Sequence, residues 1–322
     1  KYQPIEWLLF RGAYSTGFKV PSFNQLFNGT TEAPFTGTTF ADPETCPGGR
    51  ATGVPPCVSI SNLPELFRGK ADLEPEESEQ KSIGVVFAPT SWLNVAVDWW
   101  EIKRVNTVRI PDRFRLAENY DQFRDRFIRD GSGRLIALDR QWLNSGGTRM
   151  RGIELDANAN GEFAGGRWLV NLNGSYIDEF RVQEFDSVPF SDNLVGEYVR
   201  YFNLPIRWKH TLNLGWQRGD WSHNLTQIHR SGYKDELPVS VANGTYVPAG
   251  FDPDVDSYTI YNYSLSWSGI ERMRVTAGVK NLLDEDPPFT AHQNDFAAGA
   301  AWEPRIADPR GRAYTFLAEY TF

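Results

Sequence analysis

The sequence lacks any run of the roughly 18 consecutive apolar residues that a membrane-spanning helix needs, although 40% of its 322 residues are hydrophobic. Cysteine, methionine and histidine are scarce, at two, two and four residues. So few soft and imidazole ligands argue against direct capture of a bare soft metal. Cations are outnumbered, 33 against 41 acidic residues, for a net charge of −8. That balance excludes the basic footprint of a nucleic-acid binder. No Ser-His-Asp order, phosphate-cradling glycine loop or zinc motif stands out, so no catalytic residue, metal or cofactor is assigned. No secretory leader is visible and the chain opens Lys1-Tyr2-Gln3-Pro4, which leads us to expect a piece of a longer polypeptide. Aromatic residues are abundant: 11 Trp, 13 Tyr and 21 Phe, far too many for a disordered chain.

Apolar residues recur with period two, the signature of half-buried strands. Tyr314, Phe316, Ala318, Tyr320 and Phe322 share one face, with Thr315, Leu317, Glu319 and Thr321 on the other. Tyr261, Tyr263, Leu265 and Trp267 oppose Asn262, Ser264 and Ser266, and Leu93, Val95, Val97 and Trp99 oppose Asn94, Ala96 and Asp98. Similar segments give ten strands of about 10–14 residues, the earliest around Leu8, Phe10 and Tyr14. Globular strands average only about five or six residues, whereas a tilted strand crossing a bilayer needs about 9–11. The expected fold class is all-β: an antiparallel transmembrane β-barrel wall with one apolar, aromatic face and one polar face.

Connection lengths alternate. Short ones fall at 89–91, 161–165, 218–220 and 268–270, and long ones at 18–78, 106–145, 181–205, 232–256 and 284–310. Outer-membrane barrels have short periplasmic turns and long extracellular loops. A soluble β-sandwich needs neither long strands nor this alternation. In the first long loop Cys46 and Cys57 flank Pro47, Gly48, Gly49, Pro55 and Pro56, which reads as a small disulfide loop in an oxidising compartment. In the second, the spacing of Leu116, Tyr120, Phe123 and Phe127 predicts a helix over 112–129. It carries arginines at 113, 115, 124, 126 and 129, either a solvated face or an anion-attracting patch.

Several segments resemble one family. Arg11-Gly12-Ala13-Tyr14-Ser15-Thr16-Gly17-Phe18-Lys19-Val20-Pro21-Ser22 with Leu26-Phe27, then Leu73-Glu74-Pro75-Glu76-Glu77-Ser78, Gly152-Ile153-Glu154-Leu155, Gly278-Val279-Lys280-Asn281-Leu282-Leu283-Asp284 with Pro287, and the closing aromatic strand follow the order of motifs in TonB-dependent outer-membrane receptors. The resemblance implies that residues 1–322 are the C-terminal portion of a barrel of about 22 strands. The plug domain, the TonB-contacting segment, the signal peptide and the earlier strands would then lie outside this chain.

The resemblance further implies an outer-membrane receptor and active transporter for a scarce nutrient, energised through TonB, in the outer membrane of a Gram-negative bacterium. The nutrient would be siderophore-iron, cobalamin or an oligosaccharide. Implied partners are TonB through the plug, the barrel-assembly machinery, outer-membrane lipid and a small-molecule ligand. Tyr314, Phe316, Tyr320 and Phe322 match the terminal signal read by that machinery. Candidate ligand contacts are the loop residues Phe190, Tyr198, Tyr201, Tyr246, Phe251, His292, Phe296 and Trp302, because aromatic loops suit flat or amphipathic ligands. Two alternatives remain open: a complete ten-stranded barrel acting as an outer-membrane protease, with His229 and Asp235 as its best dyad, and a passive pore.

Overall fold

A computed structural model describes residues 1–34, 39–199, 204–238, 241, 244–292 and 301–322. Its main element is an eleven-stranded antiparallel sheet in strict chain order. The strands are β1 (Tyr2–Ile5), β2 (Leu8–Lys19), β3 (Glu76–Thr90), β4 (Leu93–Val105), β5 (Gly147–Phe163), β6 (Gly166–Gln183), β7 (Trp208–Arg218), β8 (Trp221–Arg230), β9 (Tyr258–Ile270), β10 (Met273–Lys280) and β11 (Ala313–Tyr320). The expected ten strands are β2 to β11. The added β1 is too short to alternate and is held by a two-residue turn onto β2. Among the described residues, β1 and β11 are the open edges of the sheet.

Two-residue turns at 6–7, 91–92, 164–165, 219–220 and 271–272 close one end. At Ala164 and Gly165 both φ values are positive, 51° and 70°. That backbone matches the right-handed twist of the strands it joins. The five long connections leave the other end.

Cross-strand register sorts every side chain onto one of two faces. On the apolar face Trp99, Ile153, Tyr176 and Trp208 form one row. Trp168 faces Trp216 toward the turn end, and Trp221 faces Trp267. Trp208 and Trp216 are eight residues apart, roughly 27 Å along a strand, so the two aromatic levels bracket an apolar band. Phe87, Val97, Leu214 and Phe316 are among its exposed members. Gly174 is required beside this row, since a Cβ there would collide with the Trp208 indole. The other face is polar and cross-linked: Arg11 Nε lies 2.7 Å from Asp98 Oδ1, and Glu154 accepts from Trp100 Nε1 at 3.2 Å and Ser175 Oγ at 2.9 Å.

The long connections fold into two assemblies. The first combines the loops after β2 and β4. Its mixed four-stranded sheet runs Thr31–Pro34, Pro64–Phe67, Leu135–Asp139, Phe127–Arg129. Phe40, Leu116, Phe127, Leu138 and Phe185 form its apolar core, and a disulfide joins Cys46 to Cys57. Two short helices belong here, α1 (Phe23–Phe27) and α2 (Arg113–Glu118). The expected helix over 112–129 is thus shorter. It ends at Asn119, and the chain re-enters extended structure at Phe127–Arg129, because Phe127 serves the sheet core. Its arginines are paired: Arg113 with Glu65 at 2.8 Å, Arg115 with Glu118 at 2.8 Å, Arg124 with Asp121 at 2.6 Å, Arg126 with Asp139 at 3.9 Å and Arg129 with Asp42 at 2.6 Å. Arg113, Arg126 and Arg129 tie separate loop segments together, while Arg115 and Arg124 pair within their own turns.

The second assembly joins the loops after β6, β8 and β10 around Leu204, Ile206, Tyr233, Val255, Tyr258 and Ile306. The connection after β6 serves both assemblies, giving Phe185 to the first core and Leu204 and Ile206 to the second.

Candidate functional site

A cavity of about 590 Å³ lies between the polar face of the wall and the second loop assembly. The wall contributes Arg104, Met150, Phe180, Lys209 and Arg230, and the loops contribute Arg109, Leu204 and Arg305. Lys209 and Arg230 stand directly opposite each other across β7 and β8. Like charges in that position repel, and neither has a carboxylate partner among the described residues. Arg104 spends its Nε on Thr148 Oγ1 at 3.1 Å, and Arg230 donates to the Ile306 carbonyl at 2.8 Å. Arg109 is more compensated. Burial pulls its guanidinium below the usual range, and Glu184 at 3.2 Å offsets this. Glu76 is the single carboxylate in the lining. A cavity with five cations, one anion and an apolar floor favours an anionic, partly apolar guest.

Arg305 connects the cavity to a buried charge network. Its Nε donates to Glu303 Oε1 at 2.7 Å. Glu303 Oε2 accepts from His292 Nε2 at 3.1 Å, and His292 Nδ1 donates to Asp235 Oδ1 at 2.5 Å. Asp235 also accepts from Thr290 Oγ1 at 2.7 Å and the Ala291 amide at 2.6 Å. With a carboxylate at each ring nitrogen, the ring is an imidazolium. Burial opposes the charge, but the bonds to Asp235 and Glu303 push His292 up to about 9. Burial likewise opposes ionisation of Glu303, yet His292 and Arg305 hold it down at about 2. Tyr198 stacks on His292 with centroids 3.8 Å apart, and Arg305 lies over the Tyr198 ring at 5.2 Å. The network fixes the guanidinium that faces the cavity.

The residues singled out from the sequence scatter. Tyr198 and His292 come together, with His292 buried inside the network. Trp302 precedes Glu303 and is half-buried. Tyr246 is exposed and Phe251 half-buried in the loop after β8. Phe190 lies on the opposite side of the wall, beside Arg181. Tyr201 and Phe296 lie outside the described residues. His229 and Asp235 do not form a dyad. His229 points to the apolar face, bonded to Thr259 at 2.7 Å, while Asp235 belongs to His292. The loop aromatics do not include the cavity cations Arg104, Lys209 and Arg230. Their signal was cations at polar-face parity near the loop ends of strands.

The family motifs acquire physical roles. Ser22 caps α1, its Oγ accepting from the Gln25 amide while Gln25 Oε1 accepts from the Ser22 amide. Glu76 is buried and accepts from the Val108 amide at 3.0 Å, tying the approach to β3 to the next loop. Asn281 bonds both the amide and the carbonyl of Glu285 as β10 opens into loop.

The chain resembles, at 16% identity, a ferric enterobactin receptor of Pseudomonas aeruginosa, with a TM-score of 0.64 over 100% of this chain and 39% of that one. It resembles a siderophore receptor of Acinetobacter baumannii at 15% identity, TM-score 0.63, over 99% and 40%. The ferric yersiniabactin uptake receptor of Yersinia pestis matches at 15% identity and TM-score 0.50, over 100% and 36%. The chain therefore spans about two fifths of the length of these structures. No match to a curated protein sequence was found. Residues 1–282 match the family described as TonB dependent receptor-like, beta-barrel. With its apolar face to lipid and its polar face to the lumen, the chain belongs to the TonB-dependent receptor β-barrel family of the bacterial outer membrane.

Proposed function

We propose that this chain forms one part of the wall and five outer loops of an active transporter that takes up an anionic ferric siderophore. The carrying observation is the lumenal group Arg104, Lys209 and Arg230, with Arg305 fixed above it. A ferric tris-catecholate is an anion with apolar ring edges, and the Met150, Phe180 and Leu204 floor suits those edges. Neutral oligosaccharides need no such charge. The family consists of transport receptors rather than enzymes, which disfavours the protease reading.

Energisation by TonB through a plug outside this chain, insertion by the barrel-assembly machinery and contact with outer-membrane lipid belong to the same proposal. Tyr314, Phe316 and Tyr320 stand exposed on the apolar face of β11, with Phe322 beyond its end, where that machinery would read them. The test is ligand binding by the full receptor. Replacing Lys209 and Arg230 together by glutamine should weaken binding of a ferric catecholate about tenfold, the equivalent of 1.4 kcal/mol, and leave a neutral siderophore nearly unaffected. Equal loss for both ligands would defeat the charge argument. Uptake that persists after collapse of the proton gradient would defeat the energised-transport argument.

A further inference from the structure

Between its two aromatic levels the lipid-facing side of the wall is not uniform. Across β3 to β5 it carries Val85, Val97 and Leu155 in one row and Phe87, Val95 and Ala157 in the next. Across β10 and β11 Ala277 stands opposite Phe316 and Val275 opposite Ala318. Across β7 to β9 the same depth holds hydrogen-bonding side chains. One row runs His210, His229, Thr259 and the next Leu212, Gln227, Tyr261. Below them come Leu214, Leu225, Tyr263 and then Trp216, His223, Leu265. Leu212 is midway between Trp208 and Trp216 on its strand, so its neighbour Gln227 sits in the middle of the band. Trp208 Nε1 donates to His210 Nδ1 at 2.8 Å, which leaves the His210 proton on Nε2, 3.1 Å from Gln227 Oε1. Gln227 Nε2 donates to the Tyr261 hydroxyl oxygen at 2.8 Å. His229 Nδ1 lies 2.7 Å from Thr259 Oγ1, and His223 Nδ1 lies 2.7 Å from the Tyr263 hydroxyl oxygen. Among the described residues, Nε2 of His229, Nε2 of His223 and the Tyr261 hydroxyl proton have no partner. All three belong to a face turned to hydrocarbon, where an unmet polar group is costly and no water can meet it.

We propose that β7 to β9 form an intramembrane docking seam for a second copy of the receptor. Both copies insert in one direction, so a twofold axis relating them runs along the membrane normal. Each row then meets its own counterpart at the same depth. Only groups that both donate and accept hydrogen bonds can pair with themselves across such an axis. Imidazole, carboxamide, hydroxyl and phenol all qualify, and they make up the whole hydrogen-bonding surface of these rows apart from the Trp216 indole. The four rows contain no Lys, Arg, Asp or Glu, so like meets like without repulsion. A seam shaped for a different protein needs no such restriction. The area also suffices. Five strands, β6 to β10, cover about 24 Å at roughly 4.8 Å each, and the aromatic levels lie roughly 27 Å apart. That face buries on the order of 600 Å² per copy, or about 1,200 Å² in all, above the roughly 1,000 Å² that a specific interface needs. The leucines and tryptophans between the polar groups supply the close packing that holds such contacts together in lipid.

The test is cross-linking of the full receptor in outer-membrane fractions. Leu225→Cys places a thiol on the central strand of the seam, and Val97→Cys places one on the apolar part of the same face as a control. The native cysteines are joined to each other and do not compete. Copper(II) phenanthroline oxidises two thiols to one disulfide. L225C should yield a band at twice the receptor's mass, at least about fivefold more than V97C yields. Adding H210L/Q227L/H229L to L225C should cut that yield about fivefold. Leucine suits lipid, so the triple variant should keep the altered mobility on boiling that marks a folded barrel. If it does not fold, Q227L alone keeps the question answerable, with a twofold or greater loss expected. Cross-linking of L225C no better than that of V97C would overturn the proposal. So would a product of any other mass, or an unchanged yield in the folded leucine variants.

Discussion

The two outer loop assemblies hold themselves together by different means. The first has its own sheet, its own apolar core, a disulfide and several separate arginine–carboxylate pairs, those of Glu65 and Asp139 buried. No single group carries it. The second has a smaller core and depends on one buried imidazolium between two buried carboxylates, with side-chain exposures of 0%, 2% and 4% for His292, Asp235 and Glu303. A buried charge must be paired or it costs several kcal/mol. Both border the lumenal cavity: the loop after β4 contributes Arg109 and the second assembly contributes Leu204, Ile206 and Arg305. An assembly that depends on a few buried groups is the easier of the two to open.

The sharpest way to break this contrast is His292→Leu. Asp235 would then be buried without a cation and Glu303 left with Arg305 alone, at a cost of about 3–5 kcal/mol. Limited proteolysis should cut the loops after β8 and β10 while leaving the first assembly intact. Cleavage spread over both assemblies would show that they are not independent. Removing the disulfide by Cys46→Ser with Cys57→Ser should cost about 2–3 kcal/mol, since it releases a short closed loop. Hydrogen exchange should rise only around residues 40–60.

Acidity sharpens the comparison further. His292 titrates near 9 when folded and about 6.5 when unfolded, so its stabilisation is complete below about 6.5 and is lost as pH rises through about 9. Glu303 has the opposite sign: its stabilisation is present above about 4.3 and is lost as pH falls through about 2. The first assembly relies on guanidinium groups such as Arg129, raised further by its bond to Asp42, and these stay charged throughout. At pH 10 the second assembly should therefore open first, read as a tryptophan fluorescence change near Trp302. Simultaneous loss of both would count against the assignment. The smallest effect expected is that of Arg305→Lys, which keeps the charge but loses the fork on Glu303. Ferric-siderophore affinity should fall only about threefold, less than 1 kcal/mol.

Much of the wall was legible in the chain. Period-two alternation located ten strands, because a strand between lipid and water must sort its side chains by face. The alternation of short and long connections separated the turn end from the loop end for the same reason. Local chemistry accounts for Asn281 at a strand's end, whose partner Glu285 is four residues away; the helix that Ser22 caps was not expected from the sequence. The cavity was not legible. Arg104, Lys209 and Arg230 lie far apart along the chain and meet only through the register of β4 to β8. His292 read as a ligand-contacting loop residue because its partners Asp235 and Glu303 sit 57 and 11 positions away.

Ten of the eleven wall strands, the face their residues take and the short turns between them were thus already set along the chain. These follow from local conformational preference and from the contrast between lipid and water. Only the tertiary structure decided which charges meet. It paired Arg113 with Glu65 and Arg129 with Asp42, buried His292 between Asp235 and Glu303, and left Lys209 facing Arg230. Coulomb energy depends on separation in space, and distance along the chain does not report it.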